Sequence, residues 1–340
     1  MSKPTATLRA TRADPPGLAK TDQARREVYS AALQQSEDLF DAAAASGAVA
    51  RPIPLYYAVS QAGRAIAAAW VQDNWRARGH GLKEDGGHNA WKSQGILGFR
   101  IKPAGYGVFG AVAESLNSGG LCDSVELGAL WAALPLILAP PGGARQWRSA
   151  LRLIPMGGIT GPVFLRIGAE HQGVLIVLDG HGRDADSVNQ LLQNYRAADG
   201  ARARVIQGIL AEEHTPYGPG IPIQWPAPTA PIDDTNRSDY IASLVRNRIP
   251  QYRYRGEHWL VPRVGAANDD LTPLLLWWVL LFGLSLLARY EPADWRKALD
   301  PDGSEAGVFL EALLDEALRD LPRLLTDALT HQQHLEPAQH

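Results

Sequence analysis

The sequence predicts an α+β protein, predominantly helical: a helical bundle formed by N- and C-terminal helices, with a central β-hairpin or small sheet inserted between them. Three observations predict it. Apolar residues keep helical spacing at Leu55, Val59, Ala62, Ile66, Ala69 and Trp70. Near the other end, Leu271 to Ala288 runs 18 residues without a charge and leads into an amphipathic segment. Between them, GPVFLRIG and GVLIVLDG flank a short polar turn, AEHQ, and read as a hairpin.

The elements follow in chain order. Residues 1–20 have no apolar core of secretory type and read as a disordered tail. A helical N-terminal part spans 21–140. Its first helix runs from Thr21 to Ser46 with Asp22 as N-cap, and Gly47 stops it. A second opens at Pro52, where proline suits the first turn, and runs to about Arg76. The loop GHGLKEDGGHNAWKSQG and the short β-like pieces in GILGFRIKPAGYGVFGAV come next. Ser124 is the expected cap of a helix over VELGALWAALPLIL.

An α/β middle part, 141–211, holds the hairpin and a short helix from Ser187 to Ala198. GVLIVLDG is apolar on both faces, so its strand is expected to be central. Residues 212–239 read as a Pro-rich linker or surface loop, because six prolines between Pro216 and Pro231 oppose both a helix and a central strand. The C-terminal part, 240–330, carries one or two strands in QYRYRGEHWLVPRV and two helices that pack back on the N-terminal part. The second of those runs from Ser304 to about Ala328.

Composition narrows the function classes. A formal net charge of −3 supplies no global field toward nucleic acid or acidic lipid, so any such binding needs a local patch. The single cysteine, Cys122, excludes a disulfide framework and fits a reducing, cytoplasmic compartment. A membrane span needs about 20 apolar residues. Pro273 shortens the 18-residue run further, so the run reads as a core helix and not as an anchor.

Several clusters could carry chemistry. The loop GHGLKEDGGHN offers His80, Glu84, Asp85 and His88 for acid–base work or zinc, or forms a polar loop with His80 capping the preceding helix. The turn VLDGHGRDADS offers Asp179, His181, Asp184 and Asp186 for a ligand site, or spends them on the turn and a helix cap. In a strand, Arg253 and Arg255 share one face and Tyr252 and Tyr254 the other, a pattern that can hold phosphates and stack bases. Arg289, Tyr290 and Glu291 close the apolar helix as an ion pair or an anion-binding group. Cys122 lacks an activating histidine nearby in sequence. No complete catalytic constellation, cofactor motif or metal-ligand set stands out, so the expected reading has no metal and no cofactor.

Three pieces of the chain resemble the YaaC-like proteins, a bacterial family. One is RPIPLYYAVSQAGRAIAAAW with the following GHGL, carrying Tyr56, Tyr57, Ala65, His80, Gly81 and Leu82. Another is FGAVAES with VELGALWAALPLI. The most specific is LSLLARYEPADW, with Ser285, Arg289, Tyr290, Glu291, Pro292 and Trp295. The resemblance implies a mostly helical domain around the apolar helix. It also implies a recognition or scaffold protein of bacterial defence or stress response. The expected partners are a protein, either an effector or a second copy, and RNA or DNA; no membrane is expected.

The first helix pair is also similar to HEPN-type domains, many of which are metal-independent ribonucleases or nucleotide-modifying partners. Their nucleases place Arg four to six residues before His on a helix. Arg64 is too far from His80 for that spacing, and Arg76 is one residue too close. Arg166 with His171 and Arg253 with His258 match it, but in β-like segments and at the frequency that chance predicts. In the enzymatic alternative, His80 acts with Arg64 or Arg76.

Overall fold

The structure is a computed structural model. It describes residues 5–330 apart from 87–91, 93, 136–139, 142–146, 155–173, 178–183, 204, 207–208, 211–212, 216–217, 225–252, 255–256, 266–270 and 305. The chain divides into two compact units, Met1–Trp147 with Val264–His340, and Arg148–Arg263. Both helical and antiparallel β elements are present and the helices predominate, as the sequence predicts.

The first unit is built on α2 (Gln23–Ala45) and α3 (Pro52–Trp70), which pack along their lengths. Asp22 caps α2, its carboxylate accepting from Arg25 N at 3.1 Å. Alanines and Gly63 give α3 a smooth buried face. The helix stops at Trp70, six residues before the expected end at Arg76. The reason lies on α2. The Arg25 guanidinium reaches across and donates to Ala68 O, Val71 O and Gln72 O at 3.1, 2.7 and 2.8 Å. It satisfies the terminal carbonyls and favours their negative dipole end.

Residues 5–20 differ from the expected disordered tail. α1 (Ala6–Thr11) places Leu8 fully out of solvent. Arg9 and Arg12 donate to the buried Glu37 at 2.7 and 3.4 Å, and Tyr29 donates to Thr11 Oγ1 at 2.6 Å. A segment of poor apolar content is ordered because α2 offers it a buried carboxylate and a phenol, and neither is visible from the segment's own composition.

The apolar run forms α7 (Pro273–Tyr290), capped by Thr272 and 78% buried within the protein. It therefore serves as a core helix, packed by α3, by α4 (Val108–Ser115) and by α5 (Leu127–Ala133). α8 (Pro292–Leu299) follows, held by the buried Trp295, whose indole donates to Val49 O at 2.9 Å. The last helix, α9 (Gly307–Thr330), packs against α3 and α7.

A small antiparallel sheet of β1 (Leu82–Asp85), β2 (Arg100–Pro103) and β3 (Val125–Glu126) completes this unit. Ser124 is not a helix cap. Its hydroxyl accepts from Arg100 Nε at 3.0 Å, and β3 separates it from α5.

In the second unit the strand expected over GVLIVLDG is part of a larger antiparallel sheet. Its strands are β4 (Leu151–Ile154), β5 (Val174–Val177), β6 (Arg202–Ala203), β9 (Glu213–Thr215), β10 (Gly218–Gln224), β11 (Arg253–Tyr254) and β12 (Glu257–Leu260). The order is β11-β12-β4-β5-β10-β6, with β9 also on β10. β7 (Val205–Ile206) and β8 (Ile209–Leu210) form a separate pair. β5 is central, as its apolar pattern predicts; GPVFLRIG lies outside the described residues. Leu151, Ile221, Ile223 and Leu260 meet Val188 and Leu192 of α6 (Ala185–Leu192) in one core.

β10 corrects the reading of 212–239 as a linker, because an interior strand runs through it despite Pro219 and Pro222. The registers explain how. Pro219 pairs only with β9 and Pro222 only with β5, so each missing N–H removes at most one ladder bond, toward a single neighbour.

Candidate functional site

The side chains richest in chemistry gather where α3, α7 and the GHGL loop meet. Tyr56 and Tyr57 lie early on α3, with Arg64 two turns on. Phe282 and Arg289 come from α7, which runs antiparallel to α3: Gly63 faces Trp278, while Tyr56 faces Phe282 at 5.3 Å between ring centroids. The approach is close because Gly63 has no side chain. A Cβ there would fall 1.9 Å from the Trp278 ring.

His80 enters from the loop, between Gly79 and Gly81 at φ +82° and +80°. These left-handed positions suit glycine. The loop is fixed by backbone bonds: Val108 N and Phe109 N, opening α4, donate to Gly79 O and His80 O at 3.2 and 3.3 Å. Ala104 N donates to Gly81 O at 2.9 Å. Gly107 makes room for this, since a Cβ on it would sit 2.4 Å from Gly81 N.

The half-buried His80 ring packs by its edge on Tyr56 and Tyr57. Its Nδ1 is 2.6 Å from the Tyr56 hydroxyl. Tyr56 is fully buried, and burial pushes its phenol well above the ordinary tyrosine range. The phenol therefore keeps its proton. His80 is pushed the other way, first by burial and then by the positive charges of Arg289 and Arg64. The phenol also meets the Ser60 side chain, so two arrangements satisfy the bond: Tyr56 donates to Nδ1 with the ring proton on Nε2, or Nδ1–H donates to the phenol oxygen while the phenol donates to Ser60.

Arg289 donates through Nε to Ser285 O at 3.1 Å and through Nη1 to the Tyr57 hydroxyl at 3.3 Å. Its guanidinium lies over the rings of both Tyr57 and Tyr290, 5.8 and 5.0 Å from their centroids. Among the described residues, neither Arg64 nor Arg289 forms an ion pair with a carboxylate. The ion pair expected to lock this helix end to a neighbour runs through Glu291 and Asp294, which face Lys92 at 3.9 and 3.3 Å, and not through Arg289. The result is a half-exposed cluster of two guanidinium groups without a carboxylate partner among the described residues, an imidazole and a phenol, a set that suits an anion.

The remaining candidates fall elsewhere. Arg76 lies over the ring of Trp75 at 4.6 Å and does not act on His80. His80 caps no helix, since Arg25 does that for α3. Asp85 binds Lys102, which with Ser124 holds its carboxyl below the ordinary range. Among the described residues, no group of three His, Cys, Asp or Glu side chains could hold a metal ion. Asp184 caps α6, accepting from Ser187 N at 2.9 Å. His88, Asp179 and His181 lie outside the described residues, as do Tyr252 and Arg255. Arg253 and Tyr254 form β11, an edge strand of the second unit, and Arg253 is the cross-strand partner of His258. The Arg253–His258 spacing is therefore hairpin register and not a helical motif. Cys122 is exposed.

Phe282, Gly63 and Gly107 are the site residues that sequence reasoning missed. All three are apolar and gave no chemical signal.

In comparisons with known proteins, one family model, described as YaaC-like Protein, matches residues 8–329. No curated protein and no solved structure matches the chain.

Proposed function

We propose that this chain, a member of the YaaC-like family, is a recognition protein that binds a phosphate-type anion of its partner at the Arg64–His80–Arg289 site. The observation behind the proposal is the pair of guanidinium groups that act on one imidazole without a carboxylate to neutralise them. A half-buried cation without a counter-ion is costly, and a bound anion repays that cost. The partner is a nucleic acid or a protein, working in bacterial defence or stress response as the family resemblance implies.

The enzymatic alternative, a metal-independent ribonuclease or nucleotide-modifying domain, shares these residues and is favoured by the neutral imidazole beside two cations. Binding is favoured in the arrangement in which Tyr56 donates to Nδ1, because a ring with its proton on Nε2 donates to an anion and does not take a proton. The test is calorimetric titration of the full chain with inorganic phosphate and with labelled RNA in EDTA, beside Arg64→Gln, Arg289→Gln and His80→Ala variants. Binding that the arginine variants weaken, without strand cleavage, upholds recognition. Cleavage lost in His80→Ala replaces it with the nuclease.

A further inference from the structure

We propose that the group bound here is a nucleotide unit, its phosphate on Arg289 and Arg64 and its base stacked on Tyr290. This rests on the anion reading above and adds the identity of the ligand. Exposed large apolar or aromatic residues are few among the described residues, and Tyr290 is the most open of them at 67%. It is also the one joined to the site. The Arg289 guanidinium lies over its ring, and the Tyr57 ring is on that guanidinium as well. A chain of π and cationic groups thus leads from the imidazole to an open aromatic ring.

The backbone that carries the platform is anchored. Tyr290 ends a buried helix whose next residue donates back to Leu287 O at 2.9 Å. One turn further, Trp295 is fully buried and bonded to Val49 O. A tyrosine has only two side-chain rotations to lose on stacking, and every nucleobase offers it a flat face. A nucleotide carries base and phosphate on one sugar, so one unit spans a ring and an adjacent guanidinium. Inorganic phosphate or a phosphorylated side chain would use the arginines and leave Tyr290 idle.

The experiment measures binding of inorganic phosphate, adenosine, adenosine 5′-monophosphate, a hexa-adenylate RNA and a phosphoserine peptide to the full chain, by calorimetry. Tyr290→Ala and Tyr290→Trp are run beside it; the side chain is exposed, so the fold tolerates both. The expected result is that the nucleotide binds about tenfold tighter than phosphate, the size of one stacked base. Tyr290→Ala closes that gap and Tyr290→Trp keeps it. A hexamer that outbinds the monophosphate marks a nucleic-acid strand as the source, and equal affinities mark the free nucleotide. Equal binding of phosphate and nucleotide, a gap insensitive to Tyr290→Ala, or a peptide that binds tightest overturns the inference and leaves the anion site standing. Binding of none of these overturns both.

Discussion

The hydroxyl of Tyr56 lies 2.6 Å from Nδ1 of His80, and this bond occupies Nδ1 and leaves Nε2 as the nitrogen open to a ligand. The phenol is fully buried, so it needs a polar partner, and the ring needs a fixed tautomer. Tyr56→Phe removes the hydroxyl and leaves Nδ1 unpaired. The expected cost is about 1–3 kcal/mol of stability, read from chemical denaturation. Nitrogen chemical shifts of His80 should move from a single tautomer toward a mixture. An unchanged tautomer would show that the hydrogen bond does not set it.

His80 also makes stability depend on pH. Burial, Arg289 and Arg64 lower its folded pKa, whereas in the unfolded chain it returns to about 6.5. Between those values the unfolded state holds more protons, so stability rises with pH in that window. It is fully present above the unfolded value and is lost as pH falls through the folded one. The groups facing the ring are Tyr56, Tyr57, Arg64, Arg289 and Phe282. Thermal melts at pH 7.5 and 5.5 should show a drop that His80→Gln makes smaller. A drop of the same size in the variant would place it in the other histidines.

Gly107 positions the loop by what it lacks. Its φ of −157° is extended and open to any residue, so only space is at issue. Gly107→Ala puts a methyl group 2.4 Å from Gly81 N, and the GHG turn must move off α4. The expected loss is about 1–3 kcal/mol with weaker phosphate binding. Gly110→Ala, three residues on, meets nothing nearer than Tyr106 Cδ2 at 4.0 Å and is the control. Equal effects from the two would show that the contact is slack.

Arg25 ends α3 from outside. Arg25→Ala leaves three carbonyls without their donor in a buried setting and should cost roughly 2–4 kcal/mol in denaturant midpoint analysis. Arg25→Lys should recover only part, because an ammonium group cannot span the same fork. Full recovery would show that charge alone suffices.

Local signals were legible in the chain. Asp22, Pro52 and Pro273 each open a helix, through chemistry confined to one turn. The apolar run was readable as a core helix from its length and its single proline. His80, Arg64, Arg289 and Tyr290 were each visible as candidates, because charged or titratable groups at helix ends and in glycine loops stand out. Their convergence was not visible. Arg289 meets Tyr57 across a separation of 232 residues, and no local pattern carries that information.

The sequence by itself determined the main helices, the Asp22 cap and the identity of the chemical groups, because each depends on neighbours within a few residues, and it determined the family through motifs spread along the chain. Only the tertiary structure decided three other things. It ended α3 at Trp70, ordered residues 5–20 on Glu37, and set two arginines on one imidazole without a carboxylate. In each case the partner comes from another element. A hydrogen bond or a charge takes effect only once burial removes the competing water, and packing decides which groups are buried together.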